Sequence, residues 1–155
     1  MTRASVETPP CIFCAARDRL QDDPLVVHRG DRAFVILNKF PYNNGHVMVV
    51  PNRHAARLTD LSSDELSEVI QLAQTMERAL TAVYHPHGFN LGINVGQPAG
   101  AGILDHLHLH VVPRWNGDTS FMTVFGETRV LPEELQVTAD RIRASLRALQ
   151  GAERP

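Results

Sequence analysis

Residues 106–112 read His-Leu-His-Leu-His-Val-Val, so imidazoles alternate with apolar side chains. An extended chain sends successive side chains to opposite sides, which places His106, His108 and His110 on one face and Leu107, Leu109 and Val111 on the other. A single histidine in such a place is usually a satisfied core or surface residue. Three together carry desolvation and repulsion costs, which make sense where they bind a metal, hold a phosphate or take part in nucleophilic attack. Near the start of the chain Cys11 and Cys14 form a Cys-x-x-Cys pair. In a chain that reads as reduced and intracellular, this spacing points to metal ligation or redox chemistry rather than a structural disulfide. A thioredoxin-like role would place the pair on a strand–helix junction, but Pro9 and Pro10 precede it and a polar segment follows.

The elements that must position these groups follow from periodicity and turn chemistry. Residues 1–10 read as a loose arm and 15–24 as a short polar helix or turn. Two apolar runs, 33–38 and 46–51, flank the turn-rich Pro41-Tyr-Asn-Asn-Gly45 and predict antiparallel neighbours. Ser62 and Glu65 make a capping box, after which Leu66, Val69, Ile70, Ala73, Met76, Leu80 and Val83 recur at helical spacing until Pro86 and Gly88. A strand near 89–95 then enters Gly96-Gln-Pro-Ala-Gly-Ala-Gly102 and the histidine run, which predicts a hairpin with a long glycine-rich loop. Because a strand and not a helix follows these glycines, Rossmann and P-loop assignments fail; small residues that let backbone N–H groups approach an anion remain. Residues 132–150 predict a terminal amphipathic helix with Leu135, Ile142, Leu146 and Leu149 near one face. Hairpins with a helix between them predict an α+β fold in one domain spanning 1–155, with an antiparallel sheet of about five strands, one long helix and a C-terminal helix.

With 155 residues and a formal net charge of −2, the chain has no electrostatic footprint for a nucleic-acid polymer. No apolar stretch is long enough to span a membrane, and the opening residues lack a signal-peptide core, so a cytoplasmic location is expected. His28, His85 and His87 have no motif around them and read as surface residues.

The run His106–Val112 resembles the signature of the histidine triad family, His-φ-His-φ-His-φ-φ, where φ is apolar. The similarity extends through Gly45-His-Val-Met-Val-Val-Pro51, Asn94 with its glycine loop, and Pro113-Arg-Trp115, covering roughly 11–118. Residues 115–122 look like the bacterial and archaeal branch that includes diadenosine tetraphosphate phosphorylases and hydrolases. The resemblance implies a histidine-triad-like fold and nucleotidyl transfer through a covalent intermediate. His108 would attack the α-phosphorus of a nucleoside phosphoanhydride, and His110 would hydrogen-bond a nonbridging phosphoryl oxygen. It also implies a structural zinc held by Cys11, Cys14, His54 and His106, a closed Cys2His2 shell with no open position for water.

For the nucleotide substrate, the resemblance places Asn38 at the ribose hydroxyls and Ile12, Phe13 and Ile36 in an apolar base pocket, although ordinary core packing would also account for these three. Asn94, Gln97, Gly100, Gly102 and Ile103 would face the phosphates, His46 would support the active-site histidines, and Trp115 would stack on a base or anchor the C-terminal segment. Ile103-Leu104-Asp105 stands where certain relatives carry a serine, which weighs against phosphoramidase activity. A homodimer is expected, built on the 62–84 helix and a strand edge. Three functions stay open: a nucleotidyl hydrolase or transferase, with phosphate-dependent phosphorolysis as a variant; a non-catalytic nucleotide-binding regulator; and a hydrolase with all three histidines on one catalytic metal.

Overall fold

Apolar runs bounded by turn residues become the centre of a five-stranded antiparallel sheet. The computed structural model describes residues 10–19, 21–103, 105–118 and 133–153. Along the chain lie α1 (Ile12–Asp18), β1 (Val26–Arg29), β2 (Ala33–Leu37), β3 (Val47–Pro51), α2 (Ser63–Tyr84), β4 (Gly88–Ile93), β5 (Leu109–Arg114) and α3 (Leu135–Ala152). The strand order is β1-β2-β3-β5-β4, with every neighbouring pair antiparallel. Among the described residues, no helix is long and apolar enough to cross a membrane.

The two faces of the sheet have different fates. Val35, Leu37, Val47, Val49, Leu109 and Val111 pack under α2 and α3, against Met76, Leu80 and Ile142. On the opposite face, Phe34, Ile36, Met48 and Val50 pack with Phe13 and Ala16 of α1. This short helix covers only part of that face: His106 and His108 lie buried against its Phe13, and His110 is partly exposed beyond it.

The capping box is realised. Ser62 Oγ accepts the Glu65 N–H at 3.2 Å, and the Glu65 carboxylate accepts the Ser62 N–H at 2.7 Å. His85 ends the helix in the left-handed region at φ 48°. The buried stripe is displaced from the one the sequence suggests: Ile70 is 61% exposed, whereas Leu72 and Ala79 are buried.

Four sequence expectations change. The first helix begins at Ile12 rather than near 15, because Phe13 and Ala16 supply a buried face that the polar residues after them lack. β1 has no counterpart in the expected strands; its Val26-Val27 pair is too short to signal alone and is recruited by β2. His28 is accordingly half-buried on β1 rather than a surface residue. The strand expected at 106–112 starts at Leu109, where its ladders with β3 and β4 both begin. The Leu107 N–H instead donates to Ala55 O at 2.7 Å.

The helix expected over 132–150 runs from Leu135 to Ala152, and Pro132 lies outside the described residues. Residues 1–9 of the expected arm and 119–122 of the branch-like stretch also lie outside them.

Candidate active site

Alternation survives even where the strand does not. Leu107 packs with Ala55 and Leu61, and Leu109 and Val111 enter the helical core. His106, His108 and His110 take the other side. The His108 and His110 rings stand 4.8 Å apart, and Phe13 touches His106 and His108 with centroids at 5.5 and 5.0 Å.

Backbone groups set the tautomer of two of these rings. His108 Nδ1 donates to the His106 carbonyl at 3.0 Å, which leaves the lone pair on Nε2. His108 is 5% exposed, and burial pushes its pKa below the ordinary histidine value, favouring a neutral ring. His106 Nε2 donates to the Pro51 carbonyl at 2.8 Å, which leaves the lone pair on Nδ1. That atom lies 3.3 Å from Cys11 Sγ and 3.6 Å from Cys14 Sγ.

The metal set predicted from the resemblance is therefore assembled in space. Cys11 caps α1 and Cys14 sits in its first turn, so the thiols share one side of the helix. His54, from the segment after β3, places Nδ1 3.3 Å from Cys14 Sγ. All four candidate ligand atoms lie within 4.8 Å of one another. Bonds of about 2.3 Å to sulfur and about 2.0–2.1 Å to nitrogen put tetrahedral neighbours roughly 3–4 Å apart, so this donor set fits zinc after small adjustment. His106 was expected both as a catalytic residue and as a ligand. The residue is fully buried, with Nε2 held by Pro51 and Nδ1 facing Cys11.

A second chain of hydrogen bonds fixes His110. The Tyr42 N–H donates to His46 Nδ1 at 3.1 Å, so His46 carries its proton on Nε2. That Nε2 lies 2.9 Å from His110 Nδ1, which must accept. His110 is thereby left with an N–H at Nε2 as its remaining donor. Burial, with His110 and His108 as lesser causes, lowers the His46 pKa to about 4. Burial first, and His108 second, also lower that of His110. Both rings are neutral at neutral pH, and a relay of neutral donors can hold its direction.

The remaining expected residues divide. Asn38 Nδ2 lies 3.4 Å from His46 Nε2, and its Oδ1 accepts the Phe40 N–H at 2.9 Å. Phe13 and Ile36 share one buried cluster with partly buried Ile103, whereas Ile12 is 61% exposed and stands apart. Gln97 opens a 3-10 turn that ends at Gly100, which has φ 88° and whose carbonyl accepts from Asn94 Nδ2 at 3.5 Å. Gln97, Gly100 and Gly102 are exposed on this loop. Trp115 is half-buried, and its N–H donates to Asp118 at 3.1 Å.

Sequence reasoning missed Tyr42 and Asn43, which look like ordinary turn residues in 41–45. It also missed the cluster of Arg114, Asp118 and Asn90. With His110 and Asn94 these groups line a cavity of about 480 Å³.

The HIT domain family model matches residues 19–117. AP-4-A phosphorylase of Mycobacterium tuberculosis strain H37Rv is 45% identical over 117 residues, covering 76% of this chain and 60% of that protein. The chain thus spans about 60% of the length of that curated relative. An uncharacterized HIT-like protein of Saccharolobus solfataricus is 30% identical over 115 residues, 74% of this chain and 81% of its own length. Among solved structures, a Zn-bound histidine triad family protein from Mycobacterium smegmatis superimposes with TM-score 0.76 and 29% identity, covering 92% of this chain and 97% of the other. A match across most of the sheet, on a fold shared over nearly the whole length of a histidine triad structure, leads to one conclusion: this chain belongs to the HIT domain, or histidine triad, family.

Proposed function

We propose that this protein cleaves a nucleoside phosphoanhydride, such as a dinucleoside polyphosphate or an adenylylated compound, through a nucleotidyl-histidine formed on His108. The observation that carries this reading is the hydrogen bond from His108 Nδ1 to the His106 carbonyl, which leaves the lone pair of the opposite nitrogen, Nε2, free to act as nucleophile. The Nε2 lone pair forms the N–P bond as the P–O bond to the leaving phosphate breaks, and that oxygen keeps the electron pair. A polyphosphate leaving group is a weak base, so little acid assistance is needed. The Nε2–H of His110 donates to a nonbridging oxygen as charge shifts in the transition state. Water or inorganic phosphate then attacks phosphorus, the N–P bond breaks, and its electrons return to His108.

In this reading Asn38 holds the ribose, Phe13, Ile36 and Ile12 border the base, and Asn94 with Gln97, Gly100, Gly102 and Ile103 faces the phosphates. His46 positions His110, and Trp115 anchors the segment after β5. Cys11, Cys14, His54 and His106 would hold one zinc, whose four protein ligands leave no position for water and make it a fastening between α1 and the histidine segment. A catalytic metal on all three triad histidines is disfavoured because His106 faces the cysteines while His108 is tied to the backbone.

The chain is further read as a single cytoplasmic domain that forms a homodimer. β4 is an edge strand with Leu91 48% exposed, and Ile70 is exposed on α2, so both predicted contact elements carry apolar surface. Sedimentation showing a monomer at micromolar concentration would count against the dimer.

Incubation with diadenosine tetraphosphate, with and without excess inorganic phosphate, tests the activity. Hydrolysis is the primary expectation and yields AMP plus ATP. Similarity to an AP-4-A phosphorylase favours a second outcome, ADP plus ATP by phosphorolysis. Nucleotide binding without cleavage of any substrate would support the regulator instead.

A further inference from the structure

Gly92 lies inside β4, directly opposite His110 in the ladder with β5. It is not among the glycines with positive φ, and a Cβ built there would meet no atom of the described residues within 4 Å. Among the described residues, neither backbone conformation nor packing therefore requires glycine at this place. Glycine within a strand is destabilising relative to alanine, because it loses more backbone freedom on folding. In strands it often marks a place where a ligand or another backbone comes close.

The space over Gly92 belongs to the 480 Å³ cavity beside His110, a volume within the range of small-molecule sites. Opposed residues of an antiparallel ladder share a face, so Asn90 and Val112 stand beside Gly92 and His110 on the histidine side. Sheet order places the Phe13–Ile36 cluster on the β2–β3 side of β5 and this trough on the β4 side. The histidines lie between that cluster and the trough.

Charge distinguishes the chemistry the trough can take. Arg114 donates to both oxygens of Asp118 at 2.6 and 2.7 Å and to Asn90 Oδ1 at 2.7 Å. Asp118 also accepts from Asn43 Nδ2 at 2.9 Å, and the guanidinium beside it holds its carboxyl well below the usual range. Among the described residues lining the cavity Arg114 is the only Arg or Lys, so no uncommitted cation of these types is offered to a phosphate. What remains is the Tyr42 ring, 81% exposed and stacked on His46 at 5.2 Å, together with Val112 and the side-chain amides. An aromatic platform with amide donors and acceptors suits a base and a ribose.

Resting on the nucleotidyl-transfer reading above, we propose that this trough binds the nucleoside of the leaving group, the far end of a dinucleoside polyphosphate. The absent side chain at 92 leaves room for it, and the clamp of Arg114, Asp118 and Asn43 holds the trough open. The site would thereby prefer substrates with a nucleoside at both ends over nucleoside triphosphates.

Gly92→Val fills the trough with a residue that strands favour, and Gly92→Ala fills it partly; unchanged unfolding midpoints would establish that both fold. Each is assayed with diadenosine tetraphosphate and with adenosine 5′-phosphofluoridate, which presents the same adenylyl group but only fluoride as leaving group. KM for the dinucleotide should rise about tenfold or more in Gly92→Val, comparable to losing one base-stacking contact, and less in Gly92→Ala. kcat/KM for the fluoridate should stay within about twofold of wild type in both variants. Equal losses on both substrates, or none on either, would overturn the subsite. If wild type cleaves neither compound, the nucleotidyl-transfer reading fails, and calorimetry then decides the trough independently. Diadenosine tetraphosphate should bind wild type more tightly than ATP and lose that advantage in Gly92→Val; equal wild-type affinities would reject the trough as a nucleoside site.

Discussion

Replacing His46 by phenylalanine should make the stability difference from wild type depend on pH in a calculable way. His46 is 1% exposed, and burial first, then the neighbouring His110 and His108, brings its pKa from 6.5 down to about 4. Between these values an unfolded chain binds a proton at His46 that the native state does not. Stability contributed by the neutral ring is thus fully present above pH 6.5 and is lost as pH falls towards 4. A shift of about 2.5 units at about 1.36 kcal/mol each amounts to about 3 kcal/mol. At pH 7, His46→Phe leaves the Tyr42 N–H and His110 Nδ1 without their partner, a cost of about 1–3 kcal/mol for each group that stays buried. The variant lacks the titrating ring, so its deficit relative to wild type should shrink by about 3 kcal/mol between pH 7 and pH 4. Urea unfolding of both proteins at several pH values measures this directly, because histidines common to both largely cancel. A deficit constant to within about 0.5 kcal/mol across that range would refute the assignment of His46 as a buried neutral relay.

His108→Gly or His108→Asn should lower turnover by at least roughly three orders of magnitude while nucleotide binding stays measurable, as expected when a covalent catalyst is lost; substantial residual turnover in His108→Gly would rule out the nucleophile. Metal analysis of purified wild type should find one zinc per chain, and the double change Cys11→Ser, Cys14→Ser should release it. That loss should lower the unfolding midpoint by on the order of 10 °C, since binding energy at such a site contributes to folding. Zinc-free wild type with the same midpoint as the double variant would sink the site.

Local signals were sufficient for much of this molecule. Alternation placed the three histidines apart from Leu107, Leu109 and Val111, because side-chain direction in an extended chain depends only on parity. The Ser62–Glu65 box announced where α2 begins because both its hydrogen bonds close within four residues. The cluster of Cys11, Cys14, His54 and His106 was legible through family resemblance, although its members come from three separate parts of the chain.

Other features exist only after folding. β1 is a strand because β2 offers it a ladder, and β5 starts at Leu109 because its partner strands first pair there. His106 turns its Nδ1 towards the cysteines because Pro51 takes its Nε2 proton, a contact across 55 positions of chain. The direction of the His46–His110 relay is imposed by a backbone N–H in the loop before β3, which no side-chain pattern reveals. Gly92 is a plain glycine in the sequence, yet the β4–β5 register sets it opposite His110 and beside a cavity. Residue type and spacing could nominate the chemical groups, since those are local properties. Which nitrogen holds each proton, and which space lies open beside it, depended on partners that only the tertiary fold brings within hydrogen-bonding distance.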